Sequence, residues 1–81
     1  LAEQRKAGTV RPAVLAVLTE RECEIVRLIA DRLSNREIAE RLYLSEGSIR
    51  QYINQIYAKL RIEGEPRAKR KLLLELLEVK N

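Results

Sequence analysis

Residues 34 to 60 read SNREIAERLYLSEGSIRQYINQIYAKL, and this stretch predicts two helices joined by a tight turn. Ser34 and Glu37 have the S-x-x-E spacing of a capping box, in which each side chain bonds a free N–H group at the start of a helix. Apolar residues then recur at helical spacing on both sides of the turn. We therefore expect one helix over residues 35–42 and a longer one over residues 46–61.

The longer predicted helix has two chemically different faces. Ile49, Ile53, Ile56 and Leu60 recur at steps of four, three and four residues, which places them on one side of a helix with 3.6 residues per turn. The opposite side carries Arg50, Gln51, Asn54, Ala58 and Arg61. A helix with an aliphatic back and an outward row of Arg, Gln and Asn has the donor groups needed to read base edges in a major groove. The pattern predicts a helix-turn-helix that binds double-stranded DNA.

Further polar groups around these two helices are suited to phosphate oxygens. Helix N-termini point backbone N–H groups at anions, and hydroxyl, amide and ammonium groups on a helix flank can bond the DNA backbone. The candidates are Asn35, Arg36 and Ser45 at the helix starts, with Ser48, Tyr52, Gln55 and Lys59 along one flank of the longer helix. Such contacts fix the register of a protein on DNA without reading its sequence.

Another helix start lies upstream of this unit. Thr19 and Glu22 form a second capping box, which predicts a helix over residues 20–31. Glu22 also lies on the inward, apolar side of that helix. Its carboxylate is therefore either the capping partner or one half of a partly buried ion pair; the two roles are compatible, and capping is favoured.

The two ends of the chain differ from its centre. Residues 1–17 mix charge with Gly and Pro and are interpreted as a linker to a missing upstream domain, with residues 18–81 forming the folded domain. Residues 13–17 are apolar and are expected to pack as a strap on the outside of that domain. The chain has no methionine, even at position 1, so we expect a fragment or a processed form of a longer protein.

A fourth helix is predicted over residues 66–79, because Pro66 suits the first turn of a helix. Its first half is basic, RAKRK, and could lie along a phosphate strand, whereas its second half, LLLELLEV, has more apolar residues than one buried face can use. Leu73, Leu76 and Leu77 can cover the core. The candidates for a symmetric helix-to-helix dimer contact are Leu72, Leu76 and Val79. Packing of these residues on the linker or on the absent domain is the alternative.

Composition narrows the class of protein. The net charge is +4 with a pI near 9.6, which suits a polyanionic partner, although residues 18–65 carry 8 basic and 9 acidic side chains, so the excess lies in the flanks. With no His and a single Cys there is neither an internal disulfide nor a metal cluster to assemble. We find no constellation for an active site and expect no enzyme and no cofactor. No apolar run approaches the ~20 residues needed to cross a bilayer, so a soluble protein of the reducing cytoplasm is expected.

The segments LTEREC-IV-LIA and LSNREIAERLYLSEGSIRQYINQIYAKL together resemble the DNA-binding domain of LuxR/NarL-type transcription regulators. The resemblance covers about residues 18–68. It implies an all-α, four-helix domain in which the second and third helices form the helix-turn-helix and the fourth dimerises. It also implies an upstream receiver, ligand-binding or ATPase-like sensor domain. The family commonly has Gly after the first helix, where this chain has Arg32.

The resemblance also assigns roles to side chains. The family's Thr-Val-Lys-x-His pattern reads Ser48-Ile49-Arg50-Gln51-Tyr52 in this chain. By that match Arg50, Gln51 and Asn54 face bases, while Ser48, Tyr52 and Lys59 serve phosphates or packing. Two alternatives stay open: a helical protein-interaction module that docks through the Leu-rich last helix, and a promoter-binding domain of the sigma-factor kind that requires polymerase.

Overall fold

Five helices make up the described part of the chain. The computed structural model describes residues 10–77, with α1 at Pro12–Leu15, α2 at Glu20–Ala30, α3 at Asn35–Leu42, α4 at Glu46–Lys59 and α5 at Pro66–Leu77. Over these residues there is no strand, so the predicted all-α class is confirmed. The four predicted helices are present as α2 to α5. The short α1 is an addition that the sequence did not predict.

Side-chain caps start three of the helices, two of them through the predicted capping boxes. Before α2 the hydroxyl of Thr19 accepts from the Glu22 N–H at 3.2 Å, and the Glu22 carboxylate accepts from the Thr19 N–H at 2.9 Å. Ser34 and Glu37 make the same reciprocal pair before α3, at 3.1 and 2.8 Å. Both capping boxes are therefore confirmed. Ser45 caps α4 with a single bond, because its hydroxyl oxygen accepts from the Ser48 N–H at 3.1 Å.

The core is aliphatic and lies where α2, α3, α4 and α5 meet. α4 packs against α2 and α3, and α2 also contacts α3 and α5. The side chains with no solvent exposure include Ile25, Val26 and Ile29 of α2, Ile38 of α3, Ile49 and Ile56 of α4, and Leu73 and Leu77 of α5. Burial of this aliphatic area is the main source of stability for a chain with so few rings.

The N-terminal strap packs more closely than the sequence suggested. Val10 and Val14 are both buried in the core, and the Arg11 N–H donates to the Leu77 carbonyl at 3.3 Å. Part of the segment interpreted as a linker thus lies against the last described turn of α5. Residues 1–9 and 78–81 lie outside the described residues, so the upstream linker stays a prediction and Val79 has no described position.

Three helix ends use left-handed backbone. Arg32, after α2, has φ +70°, Tyr43, between α3 and α4, has φ +59°, and Arg61, after α4, has φ +57°. Glycine adopts this left-handed conformation most easily. Here Arg32 adopts it, so the chain turns the corner after α2 without the Gly that the resemblance suggests. At Tyr43 the left-handed turn lets the Leu44 N–H bond the Ala39 carbonyl at 2.9 Å, closing the corner between the two helices.

No helix formed by residues 10–77 is both long enough and apolar enough to span a bilayer.

Candidate nucleic-acid interface

The polar face of α4 is open to solvent. Arg50, Gln51 and Asn54 are exposed, while Ile49 and Ile53 behind them are buried. The N-terminal half of the helix therefore presents one guanidinium and two amides to solvent, on a helix whose opposite side is packed into the core. Leu60, the last residue of the predicted apolar stripe, is only partly buried because α4 ends at Lys59.

A cleft of about 270 Å³ runs along one side of α4, between it and α5. We name it the basic cleft, because three of the described side chains that line it are cationic and none of them is acidic. It is lined by Asn35, Arg50, Ile53, Asn54, Tyr57, Pro66, Lys69 and Arg70. The base-reading candidates Arg50 and Asn54 therefore share this cleft with cations of α5.

The groove on the other side of α4 is lined by uncharged side chains. Ser48, Gln51, Tyr52 and Gln55 form this second groove, of about 220 Å³, which we name the polar groove. Their spacing of three, one and three residues puts them on one flank of the helix, as expected for phosphate candidates beside the predicted base-reading row. Ser48 and Tyr52 are partly buried, whereas Gln51 and Gln55 are exposed.

Arg70 fixes the start of α3 against α5. Its guanidinium donates to the Asn35 side-chain oxygen at 2.7 Å and to the Leu33 carbonyl at 2.9 Å. The carbonyl group of Asn35, a predicted phosphate contact, is thus engaged within the domain. The other candidates at helix starts, Arg36 and Ser45, are exposed, and Arg36 makes only a loose ion pair with Glu40 at 3.5 Å between two well-exposed side chains.

Lys59 is held by a buried carboxylate. Its ammonium donates to Glu22 Oε1 at 2.6 Å, and the Glu22 side chain is only 1% exposed. Glu22 therefore fills both of the roles left open by the sequence, capping α2 and pairing with a cation. The ion pair gives Lys59 a structural contact that the sequence did not predict, and its phosphate contact stays a prediction.

The charge state of Glu22 follows from these contacts. Burial by itself raises the pKa of the Glu22 carboxyl, but the hydrogen bond and positive charge of Lys59, together with the bonds from Thr19, lower it below the ordinary value near 4.5. Glu22 is thus ionised at neutral pH. The pair joins the first turn of α2 to the last turn of α4 and so orients the helix that carries the predicted base-reading residues.

The two described dimer candidates, both on α5, differ in exposure. Leu72 is 47% exposed, Leu76 is partly buried against the core, and Val79 lies outside the described residues. Leu73 and Leu77 are fully buried, as predicted for the core-facing side of this helix. Of the two candidates within residues 10–77, Leu72 is therefore the more exposed.

Comparison with known proteins decides the family. Residues 16–72 match the model described as "Bacterial regulatory proteins, luxR family", which covers α2 to α4 and the first half of α5. This chain belongs to the luxR family. The resemblance found in the sequence is thereby confirmed, and the five-helix structure is consistent with a helix-turn-helix domain of that family.

Individual luxR-family relatives are named as transcription regulators. The chain is 39% identical over 54 residues to the transcriptional regulatory protein DegU of Brevibacillus brevis, covering 67% of this chain and 23% of that protein. It is 43% identical over 58 residues to the transcriptional regulatory protein DesR of Bacillus subtilis, covering 67% and 29%. A DNA-binding transcriptional activator of Mycobacterium tuberculosis, DevR/DosR, is 33% identical over 54 residues, covering 67% and 25%. The chain thus spans about a quarter of each relative, and no solved structure gives a significant match.

Within this luxR-family domain, the sequence did not predict which residues of α5 lie beside α4. Tyr57 is 8% exposed and forms the floor of the basic cleft, and Lys69 and Arg70 reach the cleft from the neighbouring helix. The basic run RAKRK was the available signal. It did not reveal which of its cations face α4, because that depends on the crossing of two helices separated by a loop.

Proposed function

We propose that this domain binds double-stranded DNA sequence-specifically as the effector domain of a transcription regulator, with α4 in the major groove. The observation that carries the proposal is the arrangement of α4 itself. Arg50, Gln51 and Asn54 are exposed in one row, and the isoleucines behind them are sealed in the core. Arg pairs best with guanine, and Gln or Asn with adenine, so the row supplies donors of the right kind for both purines.

Contacts to the phosphates of the DNA backbone position such a helix in the groove. We assign phosphate contacts to Arg36 and Ser45 at the helix starts and to Ser48 and Tyr52 in the polar groove, with the amide nitrogen of Asn35 also near the interface. Lys59 is the weakest of the predicted phosphate contacts because its ammonium is already paired with Glu22. These groups fix register and orientation, while the row on α4 carries sequence preference.

The assembly completes the proposal. The exposed Leu72, with Leu76 and Val79, would form a homodimer contact through α5, placing two copies of α4 on half-sites about one helical turn apart. The family resemblance supports an upstream sensor or receiver domain in the full-length protein. A regulator that binds chromosomal DNA acts in the cytoplasm.

Salt dependence separates this proposal from a protein-interaction module. Affinity for a random-sequence duplex is expected to fall steeply between 50 and 200 mM salt, on the order of a hundredfold or more if several phosphates are contacted. Fluorescence anisotropy titration measures this directly. Undetectable binding at low salt would favour the interaction module, and binding that requires RNA polymerase would favour the sigma-like alternative. Selection from a random duplex pool then gives the site, and a site without two-fold symmetry would contradict the homodimer.

Arg50→Ala tests base reading. Loss of a bidentate contact to a base is expected to cost roughly 1–3 kcal/mol on the selected site and to relax preference at one base pair. Arg27→Ala is the matched control, since it removes the same charge from an exposed position on α2. Equal losses on selected and random duplexes for Arg50→Ala would refute its assignment to a base and leave it as a backbone contact.

A further inference from the structure

The basic cleft concentrates positive charge without a counter-charge. Its wall holds Arg50 from α4 and Lys69 and Arg70 from α5, and no carboxylate from residues 10–77 lines it. The guanidinium of Arg70 is satisfied by Asn35 and Leu33. Arg50 and Lys69 take part in none of the salt bridges formed among residues 10–77. Within that part of the chain, two cations thus face one cleft with no protein anion to balance them.

Lys69 is held in place on the side of α4 that carries the base-reading row. Its ammonium lies 5.0 Å from the centroid of the Tyr57 ring, a cation–π distance. Arg50, Asn54 and Tyr57 are spaced by four and three residues and therefore lie along one side of α4. Because Tyr57 is nearly buried, its ring is held in one position and so restricts where the Lys69 ammonium can lie. The Lys69 side chain remains partly exposed within the cleft.

Arg70 holds the start of α5 in place relative to the helix-turn-helix. Its two bonds to the start of α3 hold the first turns of α5 against the helix-turn-helix, so Lys69 moves together with α4. Lys69 is therefore positioned before any ligand arrives, and little conformational entropy is lost when it binds.

The geometry of the major groove indicates which part of DNA would lie along the cleft. A helix inserted into a groove about 12 Å wide is flanked on both sides by phosphate strands. On the polar-groove side of α4 the available groups are neutral hydroxyls and amides. On the other side, the Lys69 ammonium of α5 lies beside the helix, and no carboxylate of residues 10–77 pairs with it. This asymmetry favours a polyanion backbone along the basic cleft.

We propose that Lys69 of α5 is a DNA-backbone contact and that the basic cleft receives a phosphodiester of the strand flanking α4. This inference rests on the proposed DNA binding and extends it, because α5 then serves the DNA as well as the dimer. The contact is ionic and reads no bases. Lys69 sets affinity and salt dependence, while the row on α4 sets preference.

Lys69→Gln tests the proposal, with Lys71→Gln as the matched control. Both remove one charge from α5, but Lys71 is exposed and does not line the cleft. Lys69→Gln is expected to weaken binding to selected and random duplexes by the same factor, about fivefold near 0.1 M salt, and to reduce the slope of log affinity against log salt by about one. Lys71→Gln should leave that slope unchanged, and Lys69→Arg should restore it.

The outcomes are distinguishable from failure of the proposed function. If the unmodified domain binds no duplex at any salt concentration, the proposed function itself fails. If the domain binds DNA but Lys69→Gln keeps the original slope, or matches Lys71→Gln, the backbone contact is overturned. Loss of binding to a polyglutamate peptide with no change on DNA would instead assign the cleft to an acidic protein partner. Thermal melts by circular dichroism check that each variant is folded.

Discussion

Replacing Ile49 with alanine is expected to lower the free energy of unfolding by roughly 2–5 kcal/mol, because the side chain is fully buried and its removal leaves a cavity. A domain of this size has about 5–10 kcal/mol of total stability, so the loss is a large share of it. DNA binding should weaken with the folded fraction, since Ile49 backs the row that begins at Arg50. Urea denaturation followed by circular dichroism measures the change.

Leu72→Ala is the matched control for Ile49→Ala. It makes a similar truncation on a helix, but its side chain is 47% exposed, so the expected loss is below about 1 kcal/mol at a protein concentration that keeps the domain monomeric. Equal effects of the two substitutions would contradict the burial of the apolar back of α4. A dependence of the Leu72→Ala effect on protein concentration would report on the proposed dimer.

The second large effect is expected for Lys59→Met, which removes the cation that pairs with Glu22. The carboxylate would then remain buried with only the bonds from Thr19, at a cost of about 2 kcal/mol. This is less than for a fully buried pair, because the Lys59 side chain is 38% exposed. The matched control is Arg36→Met, which breaks an exposed pair with Glu40 and should cost about 0.5 kcal/mol or less.

The pH dependence of stability tests the same pair. A carboxyl whose folded pKa is lowered contributes stability above its unfolded value, here near 4.5, and this contribution is lost as the pH falls through the lowered folded pKa. The advantage of the unmodified domain over Glu22→Gln should therefore shrink below about pH 4.5. In Lys59→Met, the hydrogen bond and positive charge that oppose the effect of burial on the Glu22 carboxyl are absent. The pKa of Glu22 should therefore be higher than in the unmodified domain. Carbon-13 NMR titration of the carboxyl would contradict this account if the pKa were the same in both.

Features that depend on neighbours in the sequence were predictable. The capping boxes at Thr19 and Ser34 join residues three apart, and the isoleucine stripe of α4 follows from the period of one helix. The same period places Arg50, Gln51 and Asn54 together on the side of α4 away from that stripe. The match to the luxR family agrees with this local pattern, because it covers the same helices.

Features that join distant positions were not predictable in the same way. Glu22 and Lys59 are 37 positions apart, as are Leu33 and Arg70, and no helical period links them. The packing of Val10 and Val14 was underestimated for the same reason, since their burial depends on where α5 lies.

By itself, the sequence determined four of the five helices, which face of α4 is apolar, and which residues cap α2 and α3, because capping bonds and side-chain periodicity act within a few residues. Only the tertiary structure decided that Lys59 is paired with a carboxylate and that Lys69 stands in a cleft beside Arg50. Those outcomes depend on the angle and separation at which α2, α4 and α5 cross, and the crossing is set by how all of the buried side chains pack together.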